Sequence, residues 1–129
     1  MYKVLSIDSG QALITLLFFT VIAITITSAA VIIIMVNSLS GAKLQQGSIA
    51  YEIAQTGAEN AKLRLLRDPN YTGETLQVGN GNAEITVNKN GSQYTIVSEG
   101  TIGNFIRQIQ IDATYSNELL TINSQNEIF

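Results

Sequence analysis

Residue types able to do chemistry stand at suggestive spacing in three places. Ser40-Gly41-Ala42-Lys43 has the Ser-x-x-Lys spacing of serine acylases, in which an amine activates a hydroxyl, but none of the partner motifs is present. Asp68-Pro69-Asn70-Tyr71-Thr72-Gly73 sets oxygen-bearing residues at the first, third and fifth positions with Gly at the sixth, as a calcium loop begins. The twelfth position is Gly79 rather than the bidentate Glu such a loop needs, with Glu74 available only at a different spacing. The segment therefore reads first as a turn, in which Asp-Pro and Thr-Gly reverse the chain. Gly79-Asn80-Gly81 is spaced like a phosphate loop but leads into a strand pattern, not a helix N-terminus, and also reads as a turn. Asn70-Tyr71-Thr72 and Asn90-Gly91-Ser92 match the glycosylation sequon and are read as unmodified.

What the chain lacks narrows the chemistry further. Its 129 residues include no His and no Cys, which removes the commonest general base, the commonest metal ligand and every thiol or disulfide role. The carboxylates are scattered without a constellation, so the expectation is no enzyme, no catalytic residue, no metal site and no cofactor. Net charge is -3 and the Lys and Arg residues are dispersed, so no nucleic-acid groove is expected.

The dominant element is the run from Gln11 to Val36, which has no charge and, after Gln11, only Thr and Ser as polar residues. As a helix, Ala12 to Val36 spans about 38 Å, enough to cross a hydrocarbon core of about 30 Å with some tilt. Ser28-Ala29-Ala30 has the small residues of a signal-peptide cleavage site. The apolar run continues through Val31 to Val36, however, which overshoots a signal peptide and reaches spanning length. A membrane anchor is expected. Lys3 and Lys43 flank the run at similar distances, so charge alone leaves its orientation open.

Beyond Val36 the helical period continues. Small residues recur at Gly47, Ala50, Ala54, Gly57 or Ala58, and Ala61, with Leu65 extending the line, which is the spacing of one helix face. Glu52, Gln55, Glu59 and Lys62 fall on a solvated face, and Lys62, Arg64 and Arg67 crowd the last turns, where positive charge suits a helix C-terminus. Asp68-Pro69 ends the helix, because Pro disfavours helical backbone in the residue before it. Asn37-Ser38-Leu39-Ser40-Gly41 is the expected weak point, a place to kink or melt, since Ser and Asn compete for backbone hydrogen bonds and Gly costs about 1 kcal/mol relative to Ala.

After Pro69 the period becomes two. Thr75 to Val78, Ala83 to Asn88, Gln93 to Glu99 and Phe105 to Tyr115 read as strands. Asn90-Gly91 is expected to form a type I′ hairpin turn. Asn123 to Phe129 read as a frayed end, or one docked through Ile128 and Phe129. The sum is an α+β chain in which a long N-terminal transmembrane helix packs its small-residue face on a small antiparallel β-meander.

A polar leader ending in Ser9-Gly10, followed at once by Gln11-Ala12-Leu13 and an uninterrupted apolar helix, resembles the precursors of type IV pilins and pseudopilins. Ile49 to Ala61, and Ser98-Glu99-Gly100-Thr101-Ile102-Gly103 followed by Arg107, are similar to the corresponding parts of minor pilins of pilus assembly. The resemblance implies a leader over 1–10, a polymerisation helix over 11–36, its extracytoplasmic continuation over 37–68 and a β-sheet region over 69–129. It implies prepilin peptidase cleavage between Gly10 and Gln11, N-methylation of Gln11, and filament packing through Ala12, Leu13, Thr15, Leu16, Phe19, Ala23 and Ala30. The family usually begins its mature chain with Phe and places Glu fifth, where its carboxylate pairs with a neighbour's N-terminal amine. Here Gln11 and Thr15 stand instead. A buried charge needs a partner, whereas a Thr hydroxyl can bond the preceding turn of its own helix.

The resemblance therefore implies a minor or initiating subunit. Implied partners are other pilin-like subunits, the prepilin peptidase, inner-membrane assembly machinery and membrane lipid. The chain would be a single-pass membrane protein with a cytoplasmic N-terminus before assembly, and part of a cell-surface filament after it. The alternative is a signal-anchored surface protein that does not polymerise and whose sheet binds a partner or ligand.

Overall fold

The computed structural model describes residues 7–128, with side chains from Gly10 onward; residues 1–6, most of the expected leader, and Phe129 lie outside the described residues. One helix, α1 (Ile7–Arg67), is followed by five strands, β1 (Thr75–Val78), β2 (Gly81–Asn90), β3 (Gln93–Ile102), β4 (Phe105–Ser116) and β5 (Leu119–Ile128). The architecture is α+β. By internal contacts the chain divides into two units, Met1–Ala42 and Lys43–Phe129. Residues 37 to 41, the expected weak point, are helical throughout. The helix ends where the sequence places its stop: Asp68 N donates to Arg64 O at 2.8 Å, Arg64 and Arg67 occupy the last turn, and Pro69 follows.

In the second unit the strands form one antiparallel sheet in the order β1-β2-β3-β4-β5, a meander. Every connection is a two-residue loop, and each is enabled by positive φ. Gly79, Gly91 and Gly103 hold the first loop position of three hairpins with φ of 58, 62 and 55°. The β2–β3 loop is Gly91-Ser92, because Asn90 pairs with Gln93. Positive φ at Gly91 alone fits type II′, so the I′ turn centred on Asn90-Gly91 is corrected by one residue and one turn type. The β4–β5 loop, Asn117-Glu118, has positive φ at both residues (53 and 63°) and is the I′-like one.

Strand β5 is the main departure from expectation, since its residues carry no hydrophobic alternation. Polar side chains add to the backbone pairing that joins it to β4. Ser124 Oγ donates to Asp112 Oδ2 at 3.0 Å, Asn123 Nδ2 to Thr114 Oγ1 at 2.8 Å, and Arg107 Nη1 pairs with Glu127 Oε1 at 3.2 Å. The register slips at Asp112/Ala113, which pair with Ser124 and Ile122 and leave Asn123 as the extra residue of a bulge.

The core forms where one face of the sheet meets α1. Ala50, Ile53, Ala54, Ala58, Ala61 and Leu65 from the helix are buried with Ala83, Ile85, Val87, Tyr94, Ile96, Ile109, Ile111 and Ala113 from β2, β3 and β4. The small-residue face works by close approach. A Cβ built on Gly57 would overlap Ser98 Oγ and lie 2.8 Å from the Ala83 Cβ, and one built on Gly100 would overlap the Ala50 carbonyl oxygen and the Ala54 nitrogen. Ser98 is fully buried and its Oγ has no hydrogen-bond partner among the described residues, a cost of about 1–3 kcal/mol accepted where no larger side chain fits.

Gly57→Ala and Gly100→Ala are expected to destabilise the sheet unit by about 1–3 kcal/mol each through overpacking. Gly79→Ala, where nothing lies within 4 Å of a built Cβ, should cost only the strain of its positive φ, about 1 kcal/mol. Ser98→Ala should be neutral or stabilising. Denaturant unfolding of the full chain in detergent, followed by β-sheet circular dichroism, gives all four values.

Candidate functional site

The first unit presents a surface rather than a pocket. Every residue from Gly10 to Ala42 is exposed, including Leu13 at 72% and Phe19 at 71%. A helix apolar on all sides belongs in a protein core or a membrane, and no described residue buries this one. One helix of the chain is thus long and apolar enough to cross a membrane.

Five of its hydroxyls bond within the helix. Thr15 Oγ1 donates to Gln11 O at 2.9 Å, the back-bond expected of a Thr at this position. Thr20 donates to Leu16 O at 2.7 Å and Ser28 to Ile24 O at 2.7 Å. Thr25 is shared between Val21 O and Ile22 O, and Thr27 between Ala23 O and Ile24 O. With these donors committed, the hydroxyls are small side chains that permit close packing rather than free donors reaching for a neighbour. In apolar surroundings, therefore, none of these five hydroxyl hydrogens is left without an acceptor.

The sequence-designated residues fall on this surface as follows. Gln11, Ala12, Thr15, Leu16 and Phe19 border one shallow depression on the helix. Leu13 lies near them in sequence, and Ala23 and Ala30 are seven residues apart, two turns along nearly the same face. Gly10 and Gln11 are both helical, so the peptide bond between them lies within α1 and not in an extended loop. Lys3 belongs to the residues not described.

The other fragments with chemistry resolve into structural roles. Ser40 and Lys43 sit within helix α1, and the Gly79-Asn80 step is a hairpin loop. In the 68–74 loop, Asp68 Oδ1 accepts from Asn70 N at 2.9 Å, an Asx turn. Glu74 is engaged by Arg64 Nε at 3.2 Å and by the Tyr71 hydroxyl, which donates to it at 3.2 Å. Among the described residues no three His, Cys, Asp or Glu side chains are grouped to hold a metal ion. On the face of the sheet away from the helix, Asp112 accepts from Ser124, Thr95 and Gln110. These bonds, Ser124 first, lower its pKa from the usual carboxylate value. Sequence reading did not single out this ladder, which depends on strand register.

Burial first, and the Glu74 carboxylate second, push the Tyr71 hydroxyl from 10.0 up to about 12. A raised folded pKa means that the neutral phenol is favoured by the fold. The contribution is complete below pH 10 and is lost as pH rises toward 12. The full chain should therefore show a falling melting temperature across that window, and Tyr71→Phe should make the fall shallower.

Compared with protein-family models, curated proteins and solved structures, neither the sequence nor the fold of this chain finds a match.

Proposed function

We propose that this chain is a structural subunit, of the minor or initiating kind, in a filament of the type IV pilus or pilus-like secretion class. The observation that carries the reading is the uncharged segment of α1 from Gln11 to Val36, exposed on every side, which follows Ser9-Gly10 in the sequence and is succeeded by a helix-on-meander unit. In this reading the leader 1–10 is removed by a prepilin peptidase and Gln11 becomes the N-methylated mature terminus. The helix rests in the inner membrane with its N-terminus in the cytoplasm, and assembly machinery then moves it into a bundle of like helices. The sheet unit is carried outside and becomes part of the cell-surface filament.

The chemistry supports a structural rather than a catalytic role. No His or Cys exists anywhere in the sequence, and the carboxylates Asp68, Glu74, Asp112 and Glu127 are each committed to a turn, an ion pair or a cross-strand bond. Thr15 supports a minor position. Its hydroxyl is satisfied within its own helix, so the position offers no carboxylate to a neighbour's amine.

Intact-mass measurement of the protein from native membranes and from sheared surface material tests the reading. The expected species begins at Gln11, methylated or cyclised to pyroglutamate. Finding residues 1–10 retained in both fractions would leave the alternative, a signal-anchored protein that does not polymerise.

A further inference from the structure

The two edges of the sheet are finished differently. On the first, β1 covers β2 over only four residues, and the chain just before it extends the cover: Ile85 N donates to Glu74 O and Val87 N to Thr72 O, both at 2.9 Å. On the other, β5 runs for ten residues with β4 on one side and no described strand on the other. Every second residue of an edge strand turns its N–H and C=O away from the sheet, so this edge is a row of main-chain donors and acceptors of the kind another extended chain matches. The usual guards are few. β5 contains no Pro, Lys or Arg, and its one charge, Glu127, is paired with Arg107 at 3.2 Å.

The side chains of β5 say which strand fits. Through their partners on β4, Leu120 and Ile122 share the helix side of the sheet with Gln125 and Glu127, because the bulge at Asn123 shifts the alternation by one. An antiparallel second β5 keeps each side chain on its own face over all ten residues when bulge meets bulge, which sets Leu119 of one copy opposite Ile128 of the other. That register also joins exposed apolar residues. Leu119 is 64% exposed at one end of the β4–β5 ladder; at the other, Ile106 is 57% exposed and borders, with Arg107, Gln108 and Ile128, a shallow depression of about 350 Å³. Leu119 of each copy arrives beside the depression of the other. Glu127 falls opposite Leu120 of the second copy, seven positions from that copy's Glu127, which is about 24 Å along the strand. No like charges face each other.

We propose that β5 is a self-pairing edge, through which two copies of this chain join antiparallel about a two-fold axis into one continuous sheet. Such an interface uses the same patch on both partners, so a strand that is its own complement closes at two copies. The pairing goes beyond the filament reading and does not depend on it.

The test uses the full chain in mild detergent, with one cysteine introduced per copy into its cysteine-free sequence. In the proposed register a Thr121→Cys chain and an Asn126→Cys chain place their cysteines opposite each other, at the Cα spacing of about 4.5–5.5 Å that a disulfide bridges. Two copies of the same variant hold theirs about 17 Å apart. On mild oxidation the expected product is a mixed disulfide between the two variants, lost when either is oxidised alone. It is also lost when Leu119→Lys is added to both, a change at an exposed site that leaves the circular dichroism of the sheet unaltered. Cross-linking of either variant with itself as readily as in the mixture, as association through other parts of the chain would give, would overturn the inference. So would the absence of a mixed disulfide from folded chains, which would leave the edge to a strand of another protein.

Discussion

A helix that is apolar around its whole circumference has to be surrounded by something other than water. From Leu13 to Leu39 the Leu, Ile, Val, Phe and Met side chains are all exposed within the chain, and each contributes about 1.5–3 kcal/mol when removed from water. Summed over the run, the penalty for a hydrated helix is on the order of tens of kcal/mol, well above the 5–15 kcal/mol that typically holds a domain together. Lipid or other helices must supply the cover. The internally bonded hydroxyls of Thr15, Thr20, Thr25, Thr27 and Ser28 leave the helix without a fixed polar partner, so either cover is acceptable.

The second unit solves a different problem with the same helix. Beyond Lys43 the apolar residues collapse to a stripe of Ala and Gly with Ile53 and Leu65, and the sheet answers with Ala83, Ser98 and Gly100 where the backbones come closest. Small residues on both sides trade side-chain volume for proximity. Bulk enters farther along, through Leu65, Ile96, Ile109 and Ile111. The sheet edges are secured by charge and hydrogen bonding, Arg64 with Glu74 on the β1 side and Arg107 with Glu127 on the β5 side. A compact unit results without disulfides.

How far the sequence revealed this depended on which force shaped each part. Period and punctuation disclosed the helix to Arg67 and the first four strands, because those elements bury a face and end at Pro or Gly. The Thr15 back-bond was readable from the i−4 geometry of any helix. Strand β5 was hidden, since Asn123, Ser124 and Glu127 hold it by polar bonds that leave no alternation, and its turn puts Glu118 where Gly is the usual signal. The hairpin at Gly91-Ser92 was found but displaced by one residue, because Asn-Gly also satisfies the neighbouring register.

A polymerising subunit, as proposed, would need a helix at home both in lipid and among other helices, and a folded unit whose stability does not depend on either. Toward the first the chain offers the uncharged composition of residues 11–36, and toward the second the close packing of its second unit. Single cysteines placed at Ala23 and Ala30 of this cysteine-free chain test the central claim most directly. In native membranes both should resist a water-soluble maleimide, and in sheared surface filaments both should cross-link to neighbouring helices. Ready labelling by maleimide in membranes, or an absence of helix-to-helix cross-links in filaments that contain the protein, would contradict the account.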